Sequence, residues 1–243
     1  MMARIINIFK QINFKQLRFS KQRCHLCNWT LQIKLCDDEM GIRCTRCGAS
    51  AVSQSLAQVF KKSTQSDHPL KVYELSSTGP FVKYLLASHH QVTLSELIDD
   101  VPLGEYVNGV ICQDVQNLTY KDETFDVCTS SEVFEHVEND MRGFREIYRV
   151  LKPAGKLIFT VPIALNSITI ERTRLINGQR EQILPAEYHS DKLKGVGKVF
   201  CYRNYGFDIL QRLQSVGFSY TTIVIPDKNE LFGLGRPVIY AEK

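Results

Sequence analysis

Four of the eight cysteines form two closely spaced pairs near the beginning of the chain. Cys24 and Cys27 are separated by two residues, and Cys44 and Cys47 repeat this spacing sixteen residues later. Two such pairs present four thiolates to a tetrahedral Zn²⁺, and Gly48 permits the tight turn that directs backbone N–H groups at sulfur. The pattern predicts a structural zinc site, because about 30 residues cannot hold a core without a metal.

Disulfides are the alternative use of these cysteines. The first 19 residues lack the continuous apolar core and cleavage site of a signal peptide, and the other four cysteines occur singly. A reducing compartment is therefore expected, which favours zinc over two disulfides.

A second candidate functional segment runs from Lys71 to Leu85. An apolar run interrupted by Glu74 predicts a strand, and small residues then lead into a segment with helical spacing. The turn contains Ser76, Ser77, Thr78 and Gly79, and Phe81, Tyr84 and Leu85 set the helical spacing. A strand–turn–helix junction brings backbone N–H groups and a positive helix end to a ligand, as a nucleotide-like cofactor requires.

Acidic residues follow at the ends of further segments. Residues 91–97 predict a second strand that ends in Glu96, where a doubly wound fold places the carboxylate that accepts hydrogen bonds from a ribose diol. Asp114 opens a predicted loop that leads to a strand at 125–129. The predicted order is strand, helix, strand, loop, strand.

The rest of the chain continues the alternation. Phe144, Ile147, Tyr148 and Leu151 predict a helix that stops at 152–155, and 156–163 predicts a buried strand. A polar insertion occupies 164–199. An amphipathic helix is predicted at 203–218 with Gly217 as its cap, followed by two final strands that close the chain as a hairpin.

These segments together resemble a class I S-adenosylmethionine-dependent methyltransferase. The resemblance covers about 175 residues, Pro69 to Lys243, with the motifs in the family's order, and REIYRVLKPAGKLIFTVP is its most specific part. It implies an α/β, Rossmann-like seven-stranded sheet whose last strand is antiparallel. It also implies S-adenosylmethionine at the carboxyl ends of the first strands.

The resemblance assigns the cofactor residues by position. Glu74, Ser76, Ser77 and Gly79 match the methionine-binding loop, Glu96 matches the ribose carboxylate, Asp114 and Val115 match the adenine-contacting pair, and Ser131 ends the fourth strand of the family. The chain departs from the family where Ser76, Ser77 and Thr78 replace a glycine-rich loop. A nicotinamide-dependent dehydrogenase is disfavoured, because it needs those glycines beside the pyrophosphate and lacks an antiparallel final strand.

Candidates for activating a methyl acceptor lie in two places. Glu132, Glu135 and His136 would share one face of a helix, and His189 in the insertion could approach them. The set resembles the Mg²⁺ site of small-RNA 2′-O-methyltransferases and of a group of O-methyltransferases in the ubiquinone pathway. A Mg²⁺ site is the less favoured interpretation, because Glu135-His136 is the usual family sequence after the fourth strand. Metal-independent transfer, with His189 lining the acceptor cleft, is the expectation.

Two function classes stay open on the sequence. The first is O-methylation of a glycan or other small hydroxyl-bearing acceptor, with the acceptor cleft under the insertion and Arg172, Arg174 and Arg180 available to an anionic group. The second is a non-catalytic binding module of the same fold, recruited to a partner through the ribbon and the basic N-terminus. The second class predicts no methyl transfer to any acceptor.

The N-terminal residues carry most of the positive charge. Residues 1–23 hold six cations and no acid, whereas the remaining residues sum to −2 against +4 for the whole chain. No nucleic-acid partner is therefore expected. Ile5, Ile8 and Phe9 share a helical face, which predicts a helix docked on protein or, as the alternative, peripheral to an anionic membrane.

The predicted organisation has four parts: a basic amphipathic helix at 1–22, a zinc ribbon at 23–50, a linker helix at 51–68 and the methyltransferase domain at 69–243. No apolar run approaches the ~20 residues of a membrane span. The expected location is cytoplasmic, with peripheral contact at the inner membrane surface as an option.

Overall fold

The computed structural model describes residues 15, 17–37, 39–190, 198–227 and 229–243. Its strands are β1 Arg18–Ser20, β2 Gln32–Lys34, β3 Ile42–Cys44, β4 Lys71–Glu74, β5 Gln91–Glu96, β6 Tyr106–Val107, β7 Val110–Cys112, β8 Phe125–Ser131, β9 Leu151–Thr160, β10 Ile163–Ala164, β11 Ile170–Glu171, β12 Thr173–Ile176, β13 Gln179–Gln182, β14 Tyr188–Ser190, β15 Lys198–Phe200, β16 Arg203–Gly206, β17 Tyr220–Val224 and β18 Val238–Glu242. Its α-helices are α1 Ala51–Ser63, α2 Pro80–Leu86, α3 Asp140–Val150 and α4 Ile209–Ser215, and short 3₁₀ helices lie at Phe134–His136 and Leu231–Gly233.

The described residues form two compact units. The first combines the chain up to Gln65 with Gly79–Ser88 and Val224–Val238, and the second contains Ser66–Thr78, His89–Ile223 and Ile239–Lys243. The sequence placed the last two segments of the first unit in the 69–243 domain. That domain division stays a prediction.

In the first unit, β1, β2 and β3 form an antiparallel sheet. The predicted helix at 1–22 is wrong for its last residues, because Arg18–Ser20 pair with β2 and place Phe19 opposite Ile33. Their backbone groups bond to a neighbouring strand rather than along a helix. The rest of that prediction, residues 1–14 and 16, lies outside the described residues.

Helix α1 follows the small sheet and is capped by Ser50, whose Oγ accepts a hydrogen bond from the N–H of Ser53 at 3.2 Å. Its buried face carries Phe60, which meets the ring of Phe81 edge to face at 5.7 Å. Leu231 packs with Ile42 and Ala51 in a second apolar cluster. Residues far apart in the chain thus share one core.

The second unit is built on a twisted eight-stranded sheet in the order β17-β18-β9-β8-β4-β5-β7-β6. The pairs β4–β5, β4–β8, β5–β7 and β8–β9 are parallel, and β18 is antiparallel to β9. The predicted antiparallel last strand is therefore confirmed. The predicted count of seven is one short, because the two-residue β6 folds back on β7. Both strands lie before Asp114, in a segment for which the sequence predicted no element.

The insertion is made of short strand pairs. β12 pairs with β13, β14 pairs with β15, and β16 pairs with both β10 and β11. The predicted helix at 203–218 is wrong in its first part, since Arg203–Gly206 form β16 and the helix spans Ile209–Ser215. Arg203 and Tyr205 are buried while Asn204 is exposed, which is the two-residue period of a strand.

Candidate active site and cysteine cluster

The four paired cysteines converge in the first unit. One sulfur from each lies within 4.8 Å of the others, and the Sγ atoms of Cys24 and Cys47, and of Cys27 and Cys44, are 3.6 Å apart. Four sulfurs bound tetrahedrally at 2.3 Å would lie about 3.8 Å from one another. The cluster therefore has the size of a four-thiolate zinc site.

The backbone around the cluster is arranged toward sulfur. Gly48 adopts φ +74°, and its N–H donates to the carbonyl of Cys44 at 2.9 Å, which closes the predicted tight turn. Burial raises the pKa of Cys24 to about 11. Burial alone would also raise the pKa of Cys44, but hydrogen bonds from the backbone of Cys47 and Arg46 outweigh it and lower that pKa.

At the carboxyl end of β4, Glu74 is fully buried beside polar hydroxyls. Ser76 Oγ donates to Oε1 at 2.6 Å, and Thr129 Oγ1 donates to Oε2 at 2.5 Å. Burial, with the charge of Glu96 added, raises the pKa of Glu74 to about 7 despite these hydrogen bonds. A buried carboxyl that titrates near neutrality is typical of functional sites.

The turn after β4 is tied to the end of β5. Both the N–H and the hydroxyl of Ser77 donate to Glu96 Oε1, each at 2.9 Å. Gly79 starts helix α2 with φ +111°, and a Cβ built there would meet no atom within 4 Å. Residues 76–78 are absent from the non-glycine residues with positive φ in the described chain, so the turn holds serines without backbone strain.

Three further predicted cofactor residues lie along the same sheet edge. Asp114 follows β7 and accepts the backbone N–H of Gln116 at 2.8 Å, so its carboxylate shapes the turn. Val115 is buried in the main apolar cluster, and Ser131 ends β8. Parallel strands bring their carboxyl ends to one edge, which explains why the cofactor residues predicted at these strand ends lie there.

The acceptor candidates do not lie on one α-helical face as predicted. The chain leaves β8 through Glu132, which has φ +55°, and only Phe134–His136 form a short 3₁₀ helix. The positive φ breaks the helical repeat, so the i, i+3, i+4 argument fails. His136, Glu135 and His189 nevertheless come together, whereas Glu132 is outside the group of converging donors.

The two imidazoles meet edge to face with ring centroids 4.9 Å apart. His136 Nε2 and His189 Nδ1 lie 3.8 Å and 3.9 Å from Glu135 Oε1, and that carboxyl is buried. Cys201, one of the four cysteines that occur singly in the sequence, contributes a buried thiol to the same group. Burial raises the pKa of the Cys201 thiol to about 11, and the charge of Glu135 adds to the effect.

Arg203 holds the 3₁₀ turn that carries Glu135 and His136. Its guanidinium is buried and donates to the carbonyl of Val137 at 2.5 Å and to that of Glu138 at 2.8 Å. Arg203 Nε lies 3.6 Å from the buried Asp140. The sequence missed this residue, because the carbonyls to which it donates lie more than 60 positions away in the chain.

A groove of about 500 Å³ lies between the beginning of α3 and the insertion. Its lining includes Arg142, Arg174 and Arg180 against Glu138. Arg180 forms an ion pair with Glu138, whereas Arg174 is exposed on β12. Arginines outnumber acidic residues in the lining, so the groove is suited to an anionic group.

Residues 46–159 match the sequence model of a family described as a methyltransferase domain. Among curated proteins, the chain is 39% identical over 98 residues to a ubiquinone biosynthesis O-methyltransferase of Coxiella burnetii, which covers 37% of this chain and 42% of that protein. It is 27% identical over 107 residues to a phthiotriol/phenolphthiotriol dimycocerosates methyltransferase of Mycobacterium ulcerans, and the match covers 44% of this chain and 38% of that protein. The chain thus spans less than half the length of these relatives.

Solved structures reproduce the fold at low sequence identity. A 1,6-didemethyltoxoflavin-N1-methyltransferase of Burkholderia thailandensis superposes with a TM-score of 0.51 at 15% identity, covering 79% of this chain and 78% of that one. An S-adenosylmethionine-dependent methyltransferase of Mesorhizobium loti superposes with a TM-score of 0.50 at 16% identity, covering 78% of this chain and 98% of that one. A [4+2]-cyclase also superposes, with a TM-score of 0.51 at 14% sequence identity.

The matched segment is a methyltransferase domain, and the fold is shared with an S-adenosylmethionine-dependent methyltransferase. The antiparallel β18 agrees with the arrangement that the sequence resemblance implies. Because a cyclase shares this fold, the activity has to be argued from the site.

Proposed function

We propose that the chain transfers a methyl group from S-adenosylmethionine to an oxygen of a hydroxyl-bearing acceptor, a glycan or another small molecule. The observation that carries the proposal is the hydrogen-bonded edge formed by Glu74, Ser76, Ser77 and Glu96 at the carboxyl ends of β4 and β5. The matched methyltransferase domain spans these residues.

The residues at this edge fit the cofactor in chemical type. Glu74 offers a buried carboxyl to a cationic amino group, and Glu96 offers an acceptor to a ribose hydroxyl. Asp114, Val115 and Ser131 extend the predicted site along the edge. When bound, S-adenosylmethionine supplies an electrophilic methyl group on a sulfonium.

The protein's part in such a transfer is to hold the acceptor oxygen in line with the methyl group and to exclude water. A hydroxyl also needs help to lose its proton. His136 and His189, with Glu135 and Glu132 close by in sequence, are the groups that we assign to this task. The groove with Arg174 and Arg180 would hold the body of the acceptor.

The four-cysteine cluster is proposed to bind one structural Zn²⁺. The sulfur spacing of 3.6 Å supports this assignment, as do the backbone hydrogen bonds that lower the pKa of Cys44. In this role the metal holds the small sheet of the first unit together.

Contact with a membrane surface is the remaining proposal for partners. It rests on the cations of residues 1–23, while nucleic acid is not expected as a partner. In the part of the chain that the structure describes, no helix has the length and apolar character needed to cross a bilayer. We propose a cytoplasmic location, with peripheral membrane contact through residues 1–22.

Calorimetry with S-adenosylhomocysteine, followed by a methyl-transfer screen against hydroxyl-bearing acceptors, tests the proposal. Binding with transfer supports the enzyme. Binding without transfer to any class of acceptor would favour the non-catalytic module, and absence of binding would contradict the cofactor assignment.

A further inference from the structure

Three ligand-type side chains converge beside the 3₁₀ turn after β8. One donor atom from each of His136, His189 and Cys201 lies within 4.8 Å of the other two. They come from three separate parts of the second unit: the 3₁₀ turn, strand β14 and the residue after β15. Two imidazoles and a thiol are donors that zinc-like ions prefer.

The outer nitrogen of each imidazole already has an acceptor. His136 Nδ1 lies 2.8 Å from the carbonyl of Phe200, and His189 Nε2 lies 3.2 Å from Glu187 Oε1. Those acceptors place a proton on the outer nitrogens and leave lone pairs on His136 Nε2 and His189 Nδ1. Histidines that bind metals show this arrangement, with the second nitrogen held by a carbonyl or a carboxylate.

The inner nitrogens face a negative group. His136 Nε2 and His189 Nδ1 are 3.8 Å and 3.9 Å from the same oxygen of Glu135, whose side chain is 1% exposed. A buried carboxylate is costly unless positive charge stands near it. A divalent cation between the imidazoles and the thiol would supply such charge beside Glu135.

We propose that His136, His189 and Cys201 form a second metal site, which binds a zinc-class divalent transition ion with Glu135 as its adjacent charge partner. The thiol separates this site from the magnesium site considered on the sequence, because Mg²⁺ takes oxygen ligands and soft sulfur favours zinc-like ions. Glu132 is not a ligand. The proposal replaces the expectation that acceptor activation is metal-independent.

Three protein ligands leave a fourth tetrahedral position for a water or an acceptor oxygen. An ion there would lower the pKa of a hydroxyl bound to it, which is the help that O-methylation needs. This last step rests on the proposed methyl transfer. Binding of the metal does not, so the two can fail separately.

The test titrates Co²⁺ into purified full-length protein whose four-cysteine site is already filled with zinc. The expected result is visible absorption of tetrahedral Co²⁺ that saturates at about one equivalent, with a near-ultraviolet thiolate-to-cobalt band. Cys201→Ser should lose the thiolate band, and His189→Ala should weaken Co²⁺ binding at least tenfold. Glu187→Ala, which removes the hydrogen-bond partner of His189, should weaken it by about 10- to 100-fold.

Cys112→Ser is the matched control, because this buried thiol lies outside the cluster and should leave the titration unchanged. His189 is partly exposed, so His189→Ala keeps the test valid if Cys201→Ser fails to fold. Absence of the cobalt spectrum in the wild type, or the same spectrum and affinity in the wild type and His189→Ala, overturns the proposal. Binding of S-adenosylhomocysteine measured on the same samples reports separately on the methyltransferase function.

Discussion

Ser77 donates two hydrogen bonds to a single oxygen of Glu96, one from its backbone N–H and one from its hydroxyl. Glu96, at the end of β5, thus also holds the turn that follows β4. A loop with serine where the family has glycine is held in place by this pairing. Glu96 therefore serves the shape of the site as well as the predicted contact with ribose.

Glu96→Ala should weaken binding of S-adenosylhomocysteine by about 1.5–3 kcal/mol, because a charged hydrogen-bond acceptor is lost. Calorimetry measures the change. Ser77→Ala is the matched variant, since it removes the hydroxyl bond and keeps the N–H bond, and its effect should be smaller. Unchanged affinity in Glu96→Ala would mean that the ribose does not lie at this carboxylate.

The buried Glu74 should make stability depend on pH. Its pKa of about 7 in the folded chain exceeds the ordinary value of 4.5, because burial and the charge of Glu96 oppose ionisation. Its stabilising contribution is therefore complete below about pH 4.5 and is lost as the pH rises through 7, by about 3 kcal/mol at most. Urea unfolding at several pH values measures this slope.

Glu74→Gln is the control for that slope, because the amide does not titrate and the profile between pH 4.5 and 7 should flatten. Affinity for S-adenosylhomocysteine should change in the opposite direction in the wild type, rising with pH as Glu74 ionises beside the amino group. A wild-type profile identical to that of Glu74→Gln would show that Glu74 does not titrate in this range.

Cys44→Ser should lower the zinc content of the purified chain by about one equivalent, because three thiolates no longer complete the tetrahedral site. Elemental analysis measures the loss, and Cys112→Ser should keep the wild-type content. Chelation should also lower the thermal stability of the first unit, since folding and metal binding are coupled in such modules. Four oxidised cysteines in the wild type would contradict the assignment.

Arg203→Met should destabilise the fold by about 2–6 kcal/mol, because the carbonyls of Val137 and Glu138 lose their donor at about 1–3 kcal/mol each. Asp140 stays paired in this variant, since Arg212 Nη1 lies 2.8 Å from it. Urea unfolding measures the change. Arg174→Met, at an exposed position on β12, should change stability by less than about 0.5 kcal/mol. Equal effects of the two variants would show that Arg203 does not hold the turn.

The sequence predicted those features of the site that depend on the spacing of nearby residues or on the direction of neighbouring strands. The spacing of Cys24 and Cys27 brings two thiols together through one tight turn, and Glu96 lies at the sheet edge because parallel strands share their carboxyl ends. The prediction of these features needed only neighbouring residues or the strand order of a known fold class.

Other features depend on contacts between distant residues. Ile209 and Leu213 have helical spacing, but Arg203 and Tyr205 are drawn into buried hydrogen bonds near Asp140, which turns their segment into a strand. Cys201 joins His136 only because the insertion folds back over the 3₁₀ turn. No spacing within a short window carries that information.

The position of Leu231 in the core of the first unit affects the order in which the chain can fold during synthesis. Ile42 and Ala51 leave the ribosome before Leu231, the residue that packs against them, which is translated about 180 positions later. The paired cysteines can bind metal as soon as Cys47 has emerged, because all four ligands are then available. The nascent chain would thus carry a metal-bound segment whose apolar surface stays uncovered until Leu231 has emerged.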